Sequence, residues 1–202
     1  MTMLHCPESL LFERCPVLIL NLGLLLFFVP HLLRELGLRD RIIDSLPSMN
    51  VYRGLYSLIA LTGLGIIIWG KASAPFSMVW EPVFELRYIS QVLMIPVFIL
   101  VIAGNTPVSF MRRQLRNPML LGVTFWGFAH LWSNGDLASM LLFGSFAAWS
   151  SYKFVALGLT KGPVSGSAAI LWDIVAVIGG LILYSAISVY HGELFGVGLN
   201  FD

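Results

Sequence analysis

Two histidines stand where an ionisable side chain is costly: His31, directly after Pro30 in an apolar stretch, and His130, at the end of Trp126-Gly127-Phe128-Ala129-His130. A histidine at membrane depth needs a partner or a task. Neutral imidazoles on different helices can ligate one iron from opposite faces of a porphyrin, and an apolar surround that excludes water raises its potential. Trp126 and Asn134 lie four residues before and after His130, on one helical face, where they can stack on the ring or hydrogen-bond it. Structural roles compete with this chemistry. A single histidine in a helix also serves as a hydrogen-bonded packing residue, and His31, near a helix end, can reach the headgroup region.

Other polar residues need an explanation of the same kind. Tyr52, Arg53 and Tyr56 form an aromatic and cationic collar, which anchors a helix in the interface or admits an anionic, propionate-bearing ligand to a bidentate arginine. Asp173 is alone in the last apolar run. A helix starting near Ala168 brings its carboxylate to the interface, within reach of Lys161 or loop arginines, whereas deep burial demands protonation or an internal hydrogen bond. His191 sits just past that run, and Arg112, Arg113 and Arg116 read equally well as a topology signal. The two cysteines, Cys6 and Cys15, form neither a CxxC nor a CxxCH pattern, so no disulfide framework or covalent heme attachment is indicated. No HExxH helix, Walker loop, GxGxxG turn or Ser-His-Asp order occurs, which leaves chemistry to histidines or a cofactor.

The elements that must position these residues are apolar. With 57% hydrophobic and 11% charged residues among 202, and a mean hydropathy of +0.84, there are too few charges to cover a water-soluble surface. A net charge of +1 and no long basic run exclude nucleic acid as a partner. Runs between charges predict an all-α integral membrane bundle of six transmembrane helices over residues 15–33, 54–70, 88–111, 117–134, 137–152 and 164–190. Residues 1–14 read as a polar N-terminal extension of the 15–202 transmembrane domain. The fourth and fifth spans come from one run broken by the turn chemistry of Asn134-Gly135-Asp136, and Pro118 suits a first helical turn. Gly54, Gly63, Gly65, Gly70, Gly122 and Gly127 would permit close helix contact. Nine lysines and arginines fall in the loops after spans one, three and five, against three on the opposite side. Both termini are therefore expected outside. At ~1.5 Å per residue the depths of His31 and His130 differ by roughly 10 Å, so shared ligation needs a tilted porphyrin or tilted helices.

Several stretches together carry a resemblance. They are Asn50-x-Tyr52-Arg53-Gly54-Leu55-Tyr56-Ser57, Arg116-Asn117-Pro118-Met119-Leu120-x-Gly122, Trp126-x-x-Ala129-His130, Asn134-Gly135-Asp136-Leu137-Ala138-Ser139, Leu142-Phe143-Gly144 and His191-Gly192-x-x-Phe195-Gly196. From about Ile19 to Val197 the chain resembles the NnrU family, whose bacterial members accompany nitrite and nitric oxide reduction and whose plant and cyanobacterial relative is 15-cis-zeta-carotene isomerase. The resemblance implies heme b with His31 and His130 as axial ligands. The isomerase carries a cysteine three residues before the second histidine; here that residue is Gly127, so redox-driven ligand exchange of that kind does not transfer. Asn117 stands where the family usually has histidine.

These readings combine into a multi-pass protein of the bacterial inner membrane with heme b between spans one and four. Tyr52 or Arg53 would meet a propionate and Asn134 would orient His130. Redox or isomerase-like chemistry on a lipophilic substrate, or nitrite and nitric oxide metabolism, follows from that arrangement. The alternatives are a non-enzymatic membrane factor supporting assembly or expression of denitrification reductases, and a small-solute transporter, for which Pro96 and the Asn134 turn interrupt spans. Expected partners are membrane lipid, a lipophilic small molecule, and a membrane protein or a second copy of the chain.

Overall fold

Several helices in this chain stop at a proline, a glycine or a capping side chain and run past the charges that bound the apolar runs. The computed structural model describes residues 8–160 and 164–199; Cys6 and Lys161 lie outside them. Among the described residues there are eight α-helices: α1 (Glu8–Leu32), α2 (Arg39–Asp44), α3 (Met49–Ser73), α4 (Arg87–Asn105), α5 (Phe110–Leu115), α6 (Pro118–Ser133), α7 (Leu137–Thr160) and α8 (Ile170–Phe195). No strand occurs among them, only an isolated bridge between Met78 and Asp136. Four helices are long and apolar enough to cross a membrane: α3, α4, α7 over Leu137–Gly158, and α8. Pro16–Leu32 of α1 is apolar but shorter.

Each of the six expected stretches holds one main helix, with ends that differ from the charge boundaries. The first helix already runs from Glu8, through the stretch read as an extension. The third run ends early: α4 stops at Asn105, where Asn105 Nδ2 and Thr106 Oγ1 donate to the Val101 and Ala103 carbonyls and Pro107 has no N–H to offer. The last helix starts six residues late and continues to Phe195, where Gly196 terminates it at φ 73°. His191 is therefore inside α8. The break at Asn134-Gly135-Asp136 stands between α6 and α7, and Pro118 occupies the first turn of α6, capped by Asn117 Oδ1 accepting from Leu120 N at 3.2 Å.

Contacts divide the chain into two units, one running up to Trp80 together with Asp136–Ser145, the other comprising Glu81–Gly135 and Phe146 onward. In the first, α1 and α3 meet backbone to backbone. A Cβ on Gly70 would fall 2.5 Å from Leu20 N, and one on Gly63 would fall 2.7 Å from Phe27 N. Without a hydrophobic drive between helices in lipid, such contact supplies the van der Waals energy. Gly54 and Gly65 meet nothing within 4 Å, and the outer face of α3 exposes Leu58, Leu61, Ile68 and Trp69.

In the second unit α4 packs against α6 and α8. Val97, Leu100 and Ala103 are buried, and a Cβ on Gly122 would come 3.1 Å from the Val97 carbonyl. Polar groups add specificity: the buried Thr124 and Ser150 hydroxyls lie 2.9 Å apart, and those of Ser90 and Ser133 2.6 Å apart. Between α5 and α6, Arg116 has φ 62° and ψ −49°, and Asn117 N donates to the Leu115 carbonyl at 2.6 Å. This is the rare, strained form of γ-turn, at a cost on the order of 1–3 kcal/mol.

Candidate functional site

The first unit surrounds His31 with aromatic rings and leads from it to a guanidinium. His31 ends α1, and its Nδ1 donates to the Phe27 carbonyl one turn earlier at 2.6 Å. A carbonyl can only accept, so in the neutral ring the proton sits on Nδ1 and the lone pair on Nε2. Phe27 stacks on the imidazole at 4.4 Å and 23°, and Tyr56 of α3 approaches at 5.1 Å. Tyr52 follows at 6.2 Å from Tyr56, and the Arg39 guanidinium lies 5.8 Å from the Tyr52 ring centre. Arg39 also pairs with Asp40 at 3.3 Å and lines a surface cavity of about 400 Å³ with Arg34, Gly37 and Asp40. The collar thus forms around His31, but its cation is Arg39, and Arg53 is exposed one residue round the helix from Tyr52. Sequence reading missed Arg39, which the short helix α2 supplies.

The second unit holds His130 by the same bond in a more apolar setting. His130 Nδ1 donates to the Trp126 carbonyl at 2.9 Å, again leaving Nε2 with the lone pair, and the Trp126 ring lies 5.0 Å away at 49°. Phe146 meets Trp126 edge to face at 5.6 Å. The Trp126 ring thus sits beside the imidazole at a tilt and is not stacked on it, and the hydrogen bond to Nδ1 is accepted by its backbone carbonyl. Asn134 does not reach the imidazole. Its Nδ2 donates to the His130 backbone carbonyl at 2.8 Å, closing the end of α6, because at i+4 the short amide meets the orphan carbonyl first.

Two carboxylates hold helix ends in place. Asp136 is 5% exposed; both its oxygens accept from Lys71 Nζ, at 3.2 and 3.1 Å, and from Ser139 N. Burial pushes its carboxyl up, but hydrogen bonds from Ser139 and the Lys71 ammonium outweigh that and hold it below the usual carboxylate range. Asp173 lies in the first turn of α8, and its oxygens accept from Phe110 N and Met111 N at 2.9 Å each, tying α8 to the start of α5. The Ser109 side chain hydrogen-bonds it as well; of the cations expected there, Lys161 lies outside the described residues.

Among the described residues no three His, Cys, Asp or Glu side chains gather as a metal site. The donor set is instead single imidazoles with fixed tautomers, which fits a metal that brings its own equatorial ligands, as iron in a porphyrin does. No curated protein and no solved structure matches the chain. The family profile described as NnrU protein matches residues 19–199, which contain both histidines, the collar and the two carboxylates. A match over that much of the sequence establishes that the chain belongs to the NnrU family.

Proposed function

We propose that this NnrU-family chain is a six-span protein of the bacterial inner membrane, with both termini outside, that binds heme b through His31 and His130 as axial ligands. Four helices already have the length and apolarity of spans. The 25-residue α1, apolar over Pro16–Leu32, and the 16-residue α6, about 24 Å long, would supply the other two spans. The observation that carries the heme reading is the shared anchor: each imidazole gives Nδ1–H to the carbonyl four residues back, which fixes the ring and turns Nε2 into the ligating atom.

When bound, heme b would supply a redox-active iron for isomerase-like or redox chemistry on a lipophilic substrate, or for nitrite and nitric oxide metabolism. The chain's own residues prepare for it. The Phe27 ring stacked on His31 and the Trp126 ring beside His130 restrict imidazole rotation. Tyr52, with Arg39 over its ring and Arg53 beside it, offers cationic and phenolic contacts to a propionate.

A second reading is a non-enzymatic membrane factor for reductase assembly with structural histidines. His191 favours it: although close enough to His130 to act on it electrostatically, it spends its Nδ1 on a backbone carbonyl, that of Val197 at 2.6 Å. An absorption spectrum separates the two. Detergent-purified protein expressed with heme supply should show reduced-minus-oxidised Soret and alpha bands that His31→Ala or His130→Ala removes and His191→Ala leaves. Folded, colourless protein would leave only the assembly factor.

A further inference from the structure

We propose that a cleft beside the strained turn at Arg116 binds the phosphate of an anionic phospholipid, with an acyl chain lying against Phe154, Val155 and Leu157. The cleft has a volume of about 370 Å³ and runs between Arg116 and Asn117 on one side and the last turns of α7 on the other. Its two walls differ in chemistry. One carries a guanidinium and an amide; the other is formed by two aliphatic side chains and a phenyl ring. A ligand with an anionic head and a hydrocarbon tail complements both walls, whereas free phosphate would leave the apolar one wet.

Depth and strain point the same way. The cleft lies beside the last turns of α7, one of the helices long and apolar enough to cross a membrane, so with α7 as a span it falls near the level where hydrocarbon gives way to headgroups. The Arg116 guanidinium donates to the Gly158 carbonyl, at the mouth of the cleft. Arg116 makes this contact from a positive φ, a conformation that glycine would adopt without strain and that is costly for an arginine. Arg113, exposed on α5, adds a second cation nearby in sequence, as expected for a site facing an anionic leaflet. The inference rests on α7 being a span and is independent of heme.

The test uses the full chain in nanodiscs containing phosphatidylglycerol and phosphatidylcholine of matched acyl chains, with retained lipid counted by native mass spectrometry. Wild type should keep phosphatidylglycerol about fivefold over phosphatidylcholine, the scale of one interfacial cation. Arg116→Gly removes the guanidinium while relieving the turn, so it should lose the preference without a fall in melting temperature. Val155→Asp, which leaves the turn untouched, should lose it too, and Arg41→Gln, exposed on α2, should keep it. Equal retention by wild type, or an undiminished preference in Arg116→Gly and Val155→Asp, overturns the proposal. Displacement by millimolar sn-glycerol 3-phosphate as effective as by lipid overturns the choice of a lipid over a soluble phosphate. Failure of the chain to enter nanodiscs overturns the membrane reading beneath both.

Discussion

The two units secure a histidine by the same bond and surround it differently. His31 closes a helix, stacked on Phe27, and opens through Tyr56 and Tyr52 toward Arg39 and a polar cavity. His130 lies near the end of α6 with Trp126 as its ring partner, and Trp126 is backed by Phe146. The difference teaches that the anchoring bond is local, made by any histidine whose helix offers the carbonyl four residues back, whereas the chemistry around it depends on packing. Packing differs as well: the first unit relies on glycine-mediated contact of two helices, the second adds hydroxyl pairs among three.

Breaking the glycine contact gives the largest expected effect. In Gly70→Leu the new side chain meets the Leu20 backbone, which cannot move away as a flexible side chain would, so α1 and α3 must separate. A loss of about 3 kcal/mol or more in unfolding free energy, measured by detergent titration, is expected. Gly54→Leu on the same helix has open space and should change stability by less than about 0.5 kcal/mol. Equal effects at the two positions would mean that α1 and α3 do not approach as closely as described. Gly70→Leu should also shift the environment of His31, which α3 contacts through Tyr56, and leave that of His130 alone.

The two carboxylates set up the next contrast. Asp136 is nearly fully buried with a cation, so Asp136→Asn strands Lys71 and weakens the cap on α7; on the order of 2 kcal/mol should be lost. Asp173→Asn keeps one acceptor for the two amides of α5 and should cost about 1 kcal/mol. Acid sharpens the comparison. Because the Asp136 pKa is lower in the folded chain than its ordinary 3.8, its contribution is complete above that value and declines as pH falls below it through the folded-state value. Asp136→Asn should therefore show a flatter loss of stability between about pH 5 and 2 than wild type. Parallel acid profiles would show that the Lys71 pair contributes nothing to folding.

How much of this was legible in the sequence depends on how local the cause is. The turn at Asn134-Gly135-Asp136, the proline at the start of α6 and the packing glycines Gly63 and Gly70 are written in single residues with strong backbone consequences. Helix ends were less legible, because the absence of charge marks apolarity and not the point where the ladder fails. Thus α4 ends at Asn105 despite a neutral run to Met111, and α3 extends past both Arg53 and Lys71. The Lys71 to Asp136 pair joins residues 65 positions apart, and no periodicity encodes it. The partners of Asp173 are hidden as well, because sequence shows side chains and hides amides: two backbone N–H groups hold it, together with the Ser109 side chain. Trp126 and His130 were paired correctly because four residues on a helix is a fixed distance.

The smallest effect concerns the collar, where sequence spacing favoured Arg53 and the fold presents Arg39. Both are surface arginines, so neither substitution should unfold the protein. Arg39→Gln removes a guanidinium from the Tyr52 face, worth about 0.5–1 kcal/mol at an exposed site, and should alter the near-ultraviolet circular dichroism of the tyrosines. Arg53→Gln has no such ring beneath it and should leave both stability and the tyrosine bands within error. Tyr52→Leu supplies the check on cause: after it, Arg39→Gln should have no further effect, since a cation–π pair exists only while both members do. If Arg53→Gln produced the larger spectral change, the cation of the collar would be the one its spacing indicated, and the path from His31 toward the Arg34 and Arg39 cavity would lose its middle step.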